Sequence, residues 1–171
     1  MRLGFSGISF FLIVFFATAP DLHAQGFPRP RLGVGMSAVV GTGDQAVGIG
    51  IDTRLAWVVN ADLSIGTSAN FVNYILKGRN DAAYFFHPTV TAIVTLDAAD
   101  VRSPYLIFGL GANITLGGDA NSAESGPSIN AGMGWAFSLQ ATSLYVEFIP
   151  SLIVVESSVE MQLPVRFGVI L

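Results

Sequence analysis

The chain has 171 residues, of which 51% are hydrophobic and only 12% are charged, and it carries a formal net charge of −4 with no cysteine. This length fits one domain, and the charged fraction is roughly half that of an ordinary soluble domain. The lack of clustered Lys and Arg excludes a nucleic-acid partner, and the lack of cysteine excludes disulfides and thiolate metal sites.

The N-terminal stretch has the three parts of a secretory signal peptide. Arg2 precedes an apolar run over residues 3–19, Pro20 follows the run, and Ala24 supplies a small residue for cleavage. We therefore expect a signal peptide at residues 1–24 and a single domain at residues 25–171. The alternative is a single membrane anchor, for which the apolar run is short.

From residue 32 onward, apolar residues alternate with small or polar ones in eight consecutive stretches. A period of two is typical of β-strands, and beyond the N-terminal stretch no apolar run reaches the length of a spanning helix. Turn-forming residues such as Gly41, Gly43 and Asp44 separate the stretches. In chain order, the predicted strands cover residues 32–40, 47–59, 63–71, 84–96, 106–116, 128–139, 143–154 and 159–171.

Charged residues fall on only one of the two faces of these strands. In the last strand, Glu160, Gln162 and Arg166 share one face, while the opposite face is apolar from Val159 to Leu171. A polar interior inside an apolar exterior is the plan of a membrane barrel. The pattern predicts an all-β fold, an eight-stranded antiparallel up-and-down transmembrane β-barrel. Its inward-facing charged set is Asp52, Arg54, Glu147, Glu160 and Arg166.

A soluble, lipocalin-like binding barrel is the alternative, with apolar residues around a ligand and charges outside. Two features favour lipid on the outside. The face that collects the charges is crowded with Gly, Ser and Thr, which suits the narrow interior of an eight-stranded barrel. The chain also lacks the many Lys and Glu that the surface of a soluble barrel needs.

The connections between strands differ in length at the two ends of the predicted barrel. Because outer-membrane barrels have short periplasmic turns and longer outer loops, residues 42–45, 77–83, 117–126 and 156–158 are predicted to face out of the cell. Belts of aromatic residues are then expected at the two membrane interfaces. The expected belt residues are Trp57, Trp135, Phe137 and Phe167 toward the periplasmic end and Phe71, Tyr74, Tyr84 and Phe86 toward the outer end.

Tight turns in the first and last hairpins fix which residues lie opposite each other. They place Arg54 opposite Gly33, and Glu147 opposite Arg166. We expect Glu147 and Arg166 to pair directly and to share one network with Asp52 and Arg54. Because an eight-stranded barrel is just wide enough for side chains to fill it, a plug is favoured over a pore lined or gated by these charges.

Prolines and glycines within the strands also carry expectations. Pro88, Pro150 and Pro164 each remove a ladder donor, so bulges or frayed ends are expected there. The Gly-rich segments at residues 33–35 and 48–50 lack the helix and Lys of a phosphate loop. They are expected to relieve crowding beside large residues of the lumen.

His87 is the one histidine left after removal of the signal peptide. Its neighbours in sequence offer no serine nucleophile, so a hydrogen-bonding role in the lumen is favoured over catalysis. A lipid-modifying outer-membrane enzyme is the alternative, and it would need His, Ser and an acid converging near one rim. No catalytic residue, metal site or cofactor is assigned.

Three segments carry a family resemblance, at residues 104–112, 132–135 and 163–171. With the alternation they make the chain resemble the eight-stranded outer-membrane β-barrel proteins of Gram-negative bacteria, of the OmpA-like and OmpX-like kind. The resemblance implies a monomer in the bilayer of the outer membrane, inserted by the barrel-assembly machinery, although Leu171 replaces the usual terminal aromatic residue. It implies a non-enzymatic role that is structural, surface-interacting or porin-like, as a narrow passage for small solutes.

Overall fold

The computed structural model describes residues 29–42, 45–76, 82–97, 102–117, 125–139, 141–155 and 158–171. The predicted signal peptide and the tips of the four predicted outer loops lie outside the described residues. In the part of the chain that is described, no helix is long and apolar enough to cross a membrane.

Nine strand segments build a closed, antiparallel barrel, because neighbours in sequence pair in order and β1 pairs with β9. Segments β7 and β8 are two parts of one barrel strand, separated by Ile149 and Pro150, so the barrel has eight strands as predicted. The segments are β1 (Arg31–Gly41), β2 (Gln45–Val58), β3 (Leu63–Leu76), β4 (Ala82–Thr95), β5 (Arg102–Gly117), β6 (Gly126–Ser138), β7 (Ser143–Phe148), β8 (Ser151–Val154) and β9 (Val159–Ile170).

Burial alternates along the strands, and all of the fully buried charged side chains lie on the inward row, the inverse of a soluble protein. On β9, Val165 and Phe167 are exposed on the outside of the barrel, while Arg166 between them is 5% exposed. Asp52 on β2 and Glu147 on β7 are each 1% exposed. The face that carries the charges is therefore the lumen, which confirms the predicted facing.

The hairpin registers also agree with the turns predicted from the sequence. Gly33 lies opposite Arg54 in the first hairpin, and Glu147 lies opposite Arg166 between β7 and β9. These registers hold because a one-residue slip would move every apolar side chain of a strand from the lipid face to the lumen.

The expectation of bulges or frayed ends at the prolines was wrong at Pro88 and Pro164, and at Pro150 the strand is interrupted without a bulge. The register shifts lie between Gln45 and Val47 and between Tyr84 and Phe85. Pro88 and Pro164 remain within β4 and β9, and only Pro150 interrupts a strand. Each proline loses one ladder bond without changing the register, because its carbonyl can still accept from the neighbouring strand.

The aromatic belts need one correction, at Tyr74. The third strand continues to Leu76 instead of ending at residue 71, and its alternation puts Tyr74 in the lumen, where it is 1% exposed. Phe71 and Tyr84 do lie outside and stack with ring centroids 5.8 Å apart. The remaining belt residues lie on the outward row, with Trp135 and Phe167 exposed and Trp57, Phe86 and Phe137 half-buried.

The assignment of the two faces predicts that a charge introduced on the outward row destabilises the barrel more than a small polar change on the inward row. Val165→Arg puts a charge against lipid and should lower the free energy of unfolding by about 2–4 kcal/mol near mid-span. Asn130→Ser in the lumen is the control and should be mild. Urea unfolding of the barrel in lipid vesicles measures both, and equal losses would mean that the outer row does not face lipid.

Candidate functional site

The lumen holds the charged groups that the sequence singled out, and it brings four of the five together. We call Asp52, Arg54, Glu147 and Arg166 the charge cluster, and each of them is less than one-tenth exposed. Because two carboxylates meet two guanidinium groups, the charge cluster carries no formal net charge. Glu160 is half-buried near the start of β9, six residues from Arg166, and lies outside this cluster.

Arg54 and Glu147 form the first ion pair of the cluster, between Nη1 and Oε1. Tyr105 donates its hydroxyl to the same Oε1 at 2.7 Å. The Arg54 guanidinium lies 4.8 Å from the centre of the Tyr145 ring. A delocalised cation over an aromatic face adds attraction, so Arg54 is fixed by both a carboxylate and a ring.

Arg166 and Asp52 form the second ion pair, with Nη1 and Oδ1 3.3 Å apart. The Tyr145 hydroxyl donates to the other carboxylate oxygen of Asp52 at 3.4 Å. Tyr145 therefore links the two ion pairs, because its ring contacts Arg54 and its hydroxyl contacts Asp52.

The predicted direct pair between Glu147 and Arg166 is replaced by these two ion pairs, although the backbone register is as predicted. Residues opposite each other on adjacent strands project side by side into the lumen. Arg54, in contrast, approaches Glu147 from across the barrel. It passes over Gly33, where an added Cβ would lie 3.6 Å from both Cβ and Nε of Arg54. Because Gly33 has no side chain, the long side chain of Arg54 can cross over it and contact the end of the Glu147 side chain.

Glycines make room for the three tyrosines of the lumen, as expected for the Gly-rich segments. An added Cβ would meet the Tyr74 ring at 2.8 Å from Gly48 and the Tyr105 ring at 2.6 Å from Gly134. The Tyr145 hydroxyl lies where side chains at positions 35 and 168 would stand. Sequence reasoning missed Tyr105 and Tyr145 as part of the site, although both lie on the inward row of their strands.

From the charge cluster toward the outer end of the barrel, the lumen is lined first by neutral polar groups and then by an apolar cluster. His87 Nε2 lies 2.8 Å from Ser128 Oγ, and Ser37 donates to Asn70 Oδ1 at 3.2 Å. The expected hydrogen bond of His87 in the lumen is thus present. Toward the outer end the lumen is filled by an apolar group that we call the outer cluster, composed of Val39, Val72, Tyr74 and Phe85.

The ion pairing predicts which charges are energetically coupled. Removing one partner leaves an unpaired buried charge, so Arg54→Gln and Glu147→Gln should each cost about 3–5 kcal/mol, less where water enters the lumen. The double variant should cost clearly less than the sum of the two single variants. The matched control is the cycle of Glu147→Gln with Arg166→Gln, which should show weaker coupling. Urea unfolding measures both cycles, and strict additivity for Arg54 and Glu147 would contradict the pair.

Comparison with known proteins shows the fold but not a family. No family model and no curated protein matches the sequence. Neisserial surface protein A superposes with a TM-score of 0.69 at 16% identity, covering 86% of this chain and 99% of that chain. Ail of Yersinia pestis, in complex with the heparin analogue sucrose octasulfate, gives 0.53 at 13% identity over 84% and 100%. The outer membrane enzyme PagL gives 0.54 at 12% identity over 81% and 97%.

These solved structures are eight-stranded barrels of outer membranes, and they are matched over almost their whole length. The closed strand order, the inverted burial and the charged lumen described above agree with that architecture. The chain therefore has the fold of the eight-stranded transmembrane β-barrels of outer membranes.

Proposed function

We propose that this protein is a monomeric barrel of the outer membrane, inserted by the barrel-assembly machinery, with a structural or surface-interaction role. The wall supports this placement because its outward row is mainly apolar and carries no charge along β9, with Ile49, Leu110 and Val159 among the most exposed side chains. Such a surface is stable against lipid and costly against water. The outer-membrane origin of the structural neighbours supports the same compartment.

The filled lumen is the observation that carries the functional proposal. Two layers close it: the charge cluster, in which Glu147 is 1% exposed, and the outer cluster, in which Tyr74 and Phe85 are each 1% exposed. An eight-stranded barrel is just wide enough for its interior side chains to fill it. We infer a plug rather than a passage, so the protein acts through its outer surface and its wall.

A lipid-modifying enzyme is the competing function, because PagL has this fold and is an enzyme. The contact between His87 and Ser128 favours this reading, since a serine nucleophile needs an adjacent base. However, Ser128 is 2% exposed inside the lumen, behind the wall that faces lipid. The carboxylates of Asp52 and Glu147 are held by arginines and tyrosines. This arrangement supports a structural hydrogen bond, and the proposed role is non-enzymatic.

The heparin-analogue complex of Ail describes a surface interaction on this fold, but the charge of this chain differs from what such a ligand requires. Acidic residues outnumber Lys and Arg by 12 to 8. A polyanion is attracted by excess positive charge. We therefore propose that an outer-surface partner of this chain is neutral or cationic.

The membrane location of the protein and the closure of its lumen can be tested on the same preparation. The protein should be recovered in the outer-membrane fraction, with a gel mobility that shifts on heating. After reconstitution in planar bilayers it should show no steady open conductance, because the plug fills the lumen. Recovery as a soluble periplasmic protein would contradict the membrane placement. A steady conductance in the wild type, or a large gain in Glu147→Gln, would favour a gated passage over a plug.

Catalysis can be tested with a lipid A deacylation assay. The wild-type protein in detergent or vesicles should release no acyl chain above the level of the Ser128→Ala variant, because the hydroxyl does not reach lipid. Folding of the variant is checked by the heat-dependent mobility shift. Release by the wild type that is lost in Ser128→Ala would establish the enzymatic alternative.

A further inference from the structure

A small cavity lies in the lumen at the inner end of the barrel, on the far side of the charge cluster from the outer cluster. Its volume is about 90 Å³. Two arginines, Arg31 and Arg54, and three hydroxyl-bearing residues, Ser64, Thr95 and Tyr105, line it. The rest of its wall is apolar or glycine, and every lining residue belongs to the inward row of its strand. The barrel wall therefore separates the cavity from lipid.

The two charged residues that line this cavity are both arginines. None of its lining residues is acidic. Arg54 is 6% exposed, and its charge is balanced by Glu147 within the neutral charge cluster. Arg31 lies on the exposed inner rim, and no acidic side chain among the described residues forms an ion pair with it. The cavity thus combines a guanidinium that has no ion-pair partner among the described acidic side chains, Arg31, with a second guanidinium at its buried end, Arg54.

We propose that this cavity binds a small oxyanion, of the phosphate or carboxylate class, that enters from the periplasmic end of the barrel. Guanidinium groups present a planar fork of N–H donors that matches such anions, and charge-assisted hydrogen bonds of this kind are stronger than neutral ones. The hydroxyls of Ser64 and Thr95 are additional donors to an anion between the arginines. The interactions at the buried end of the cavity, near Arg54, are strengthened by the low local dielectric.

The size of the cavity limits the ligand. A water molecule takes about 30 Å³ in the liquid, so the cavity holds roughly three waters, which suits one small ion. A sugar or a nucleotide cannot be enclosed in this volume. The headgroup of a lipid in the surrounding bilayer is excluded because the lining residues all point inward, so the ligand is a free ion in solution.

Inorganic phosphate is the probe for this site. The mature barrel in zwitterionic nanodiscs is titrated with phosphate at constant ionic strength, and binding is measured by calorimetry and by phosphorus NMR line broadening. Acetate is expected to compete for the site, because a carboxylate fits the same fork. Chloride, which supplies the constant ionic strength, should compete weakly.

Three variants locate the binding. Arg31→Gln should weaken phosphate binding by about 10-fold or more, the loss expected for one charge-assisted hydrogen bond. Arg29→Gln is the matched control, because it makes the same charge change two residues away and Arg29 does not line the cavity. Ala56→Leu fills the cavity without changing any charge, and it should also abolish binding. The heat-dependent mobility shift confirms that each variant is folded.

Each outcome decides the proposal. Binding to the wild type and to Arg29→Gln, with loss in Arg31→Gln and Ala56→Leu, supports the site. No binding to the folded wild type overturns it. Equal weakening by Arg29→Gln and Arg31→Gln shows general charge attraction at the rim, and unchanged binding in Ala56→Leu shows that the anion lies outside the cavity. Either result also overturns the proposal.

Discussion

Closure of the barrel between β1 and β9 is the constraint on which the rest of the structure depends. In lipid every backbone N–H and C=O must be satisfied by the protein itself, so an unpaired strand edge is not stable there. The seam is paired from Gly33 with Ile170 to Gly41 with Gln162. It is extended by hydrogen bonds from Leu171 N to Leu32 O at 2.8 Å and from Thr42 N to Met161 O at 2.9 Å. With the seam made, no unpaired strand edge is left to face the lipid.

Closing only eight strands creates a narrow lumen, and this narrowness explains the arrangement inside it. Tyrosines fit only where the facing wall is glycine, and Tyr145 lies against both Gly35 and Gly168 at the seam. Its ring then supports Arg54, and its hydroxyl contacts Asp52. The glycines that permit closure thus also position the aromatic ring that organises the charge cluster. Closure of the wall and filling of the lumen therefore depend on the same glycines.

The sequence predicted the strand number, the facing and the hairpin registers because all three follow from local rules. A period of two assigns faces, and the tight turns at both ends of the chain place Gly33 opposite Arg54. The partner of Glu147 could not be predicted in this way. It depends on how far Arg54 reaches across the lumen, which is a distance between strands that are remote in sequence. The error at Tyr74 had a different origin, because extending the alternation of β3 by a few residues would have placed that side chain inside.

The prolines show how the wall remains closed where the ladder is incomplete. Ile149 donates its N–H to Pro164 O at 3.2 Å, but Pro164 has no N–H to return to the Ile149 carbonyl. The hydroxyl of Ser151 donates to that carbonyl instead, at 3.3 Å. On the other side, Ala131 N donates to Pro150 O at 3.1 Å.

Gly132 also helps to keep the wall closed where the strand is interrupted. At Gly132 a Cβ would collide with the backbone of Phe148 and Ile149, so only glycine lets the two strands approach this closely. A missing ladder bond next to lipid would otherwise leave a polar group without a partner, at a cost of about 1–3 kcal/mol. The inward-facing hydroxyl and the glycine keep the break between β7 and β8 from becoming an opening in the wall.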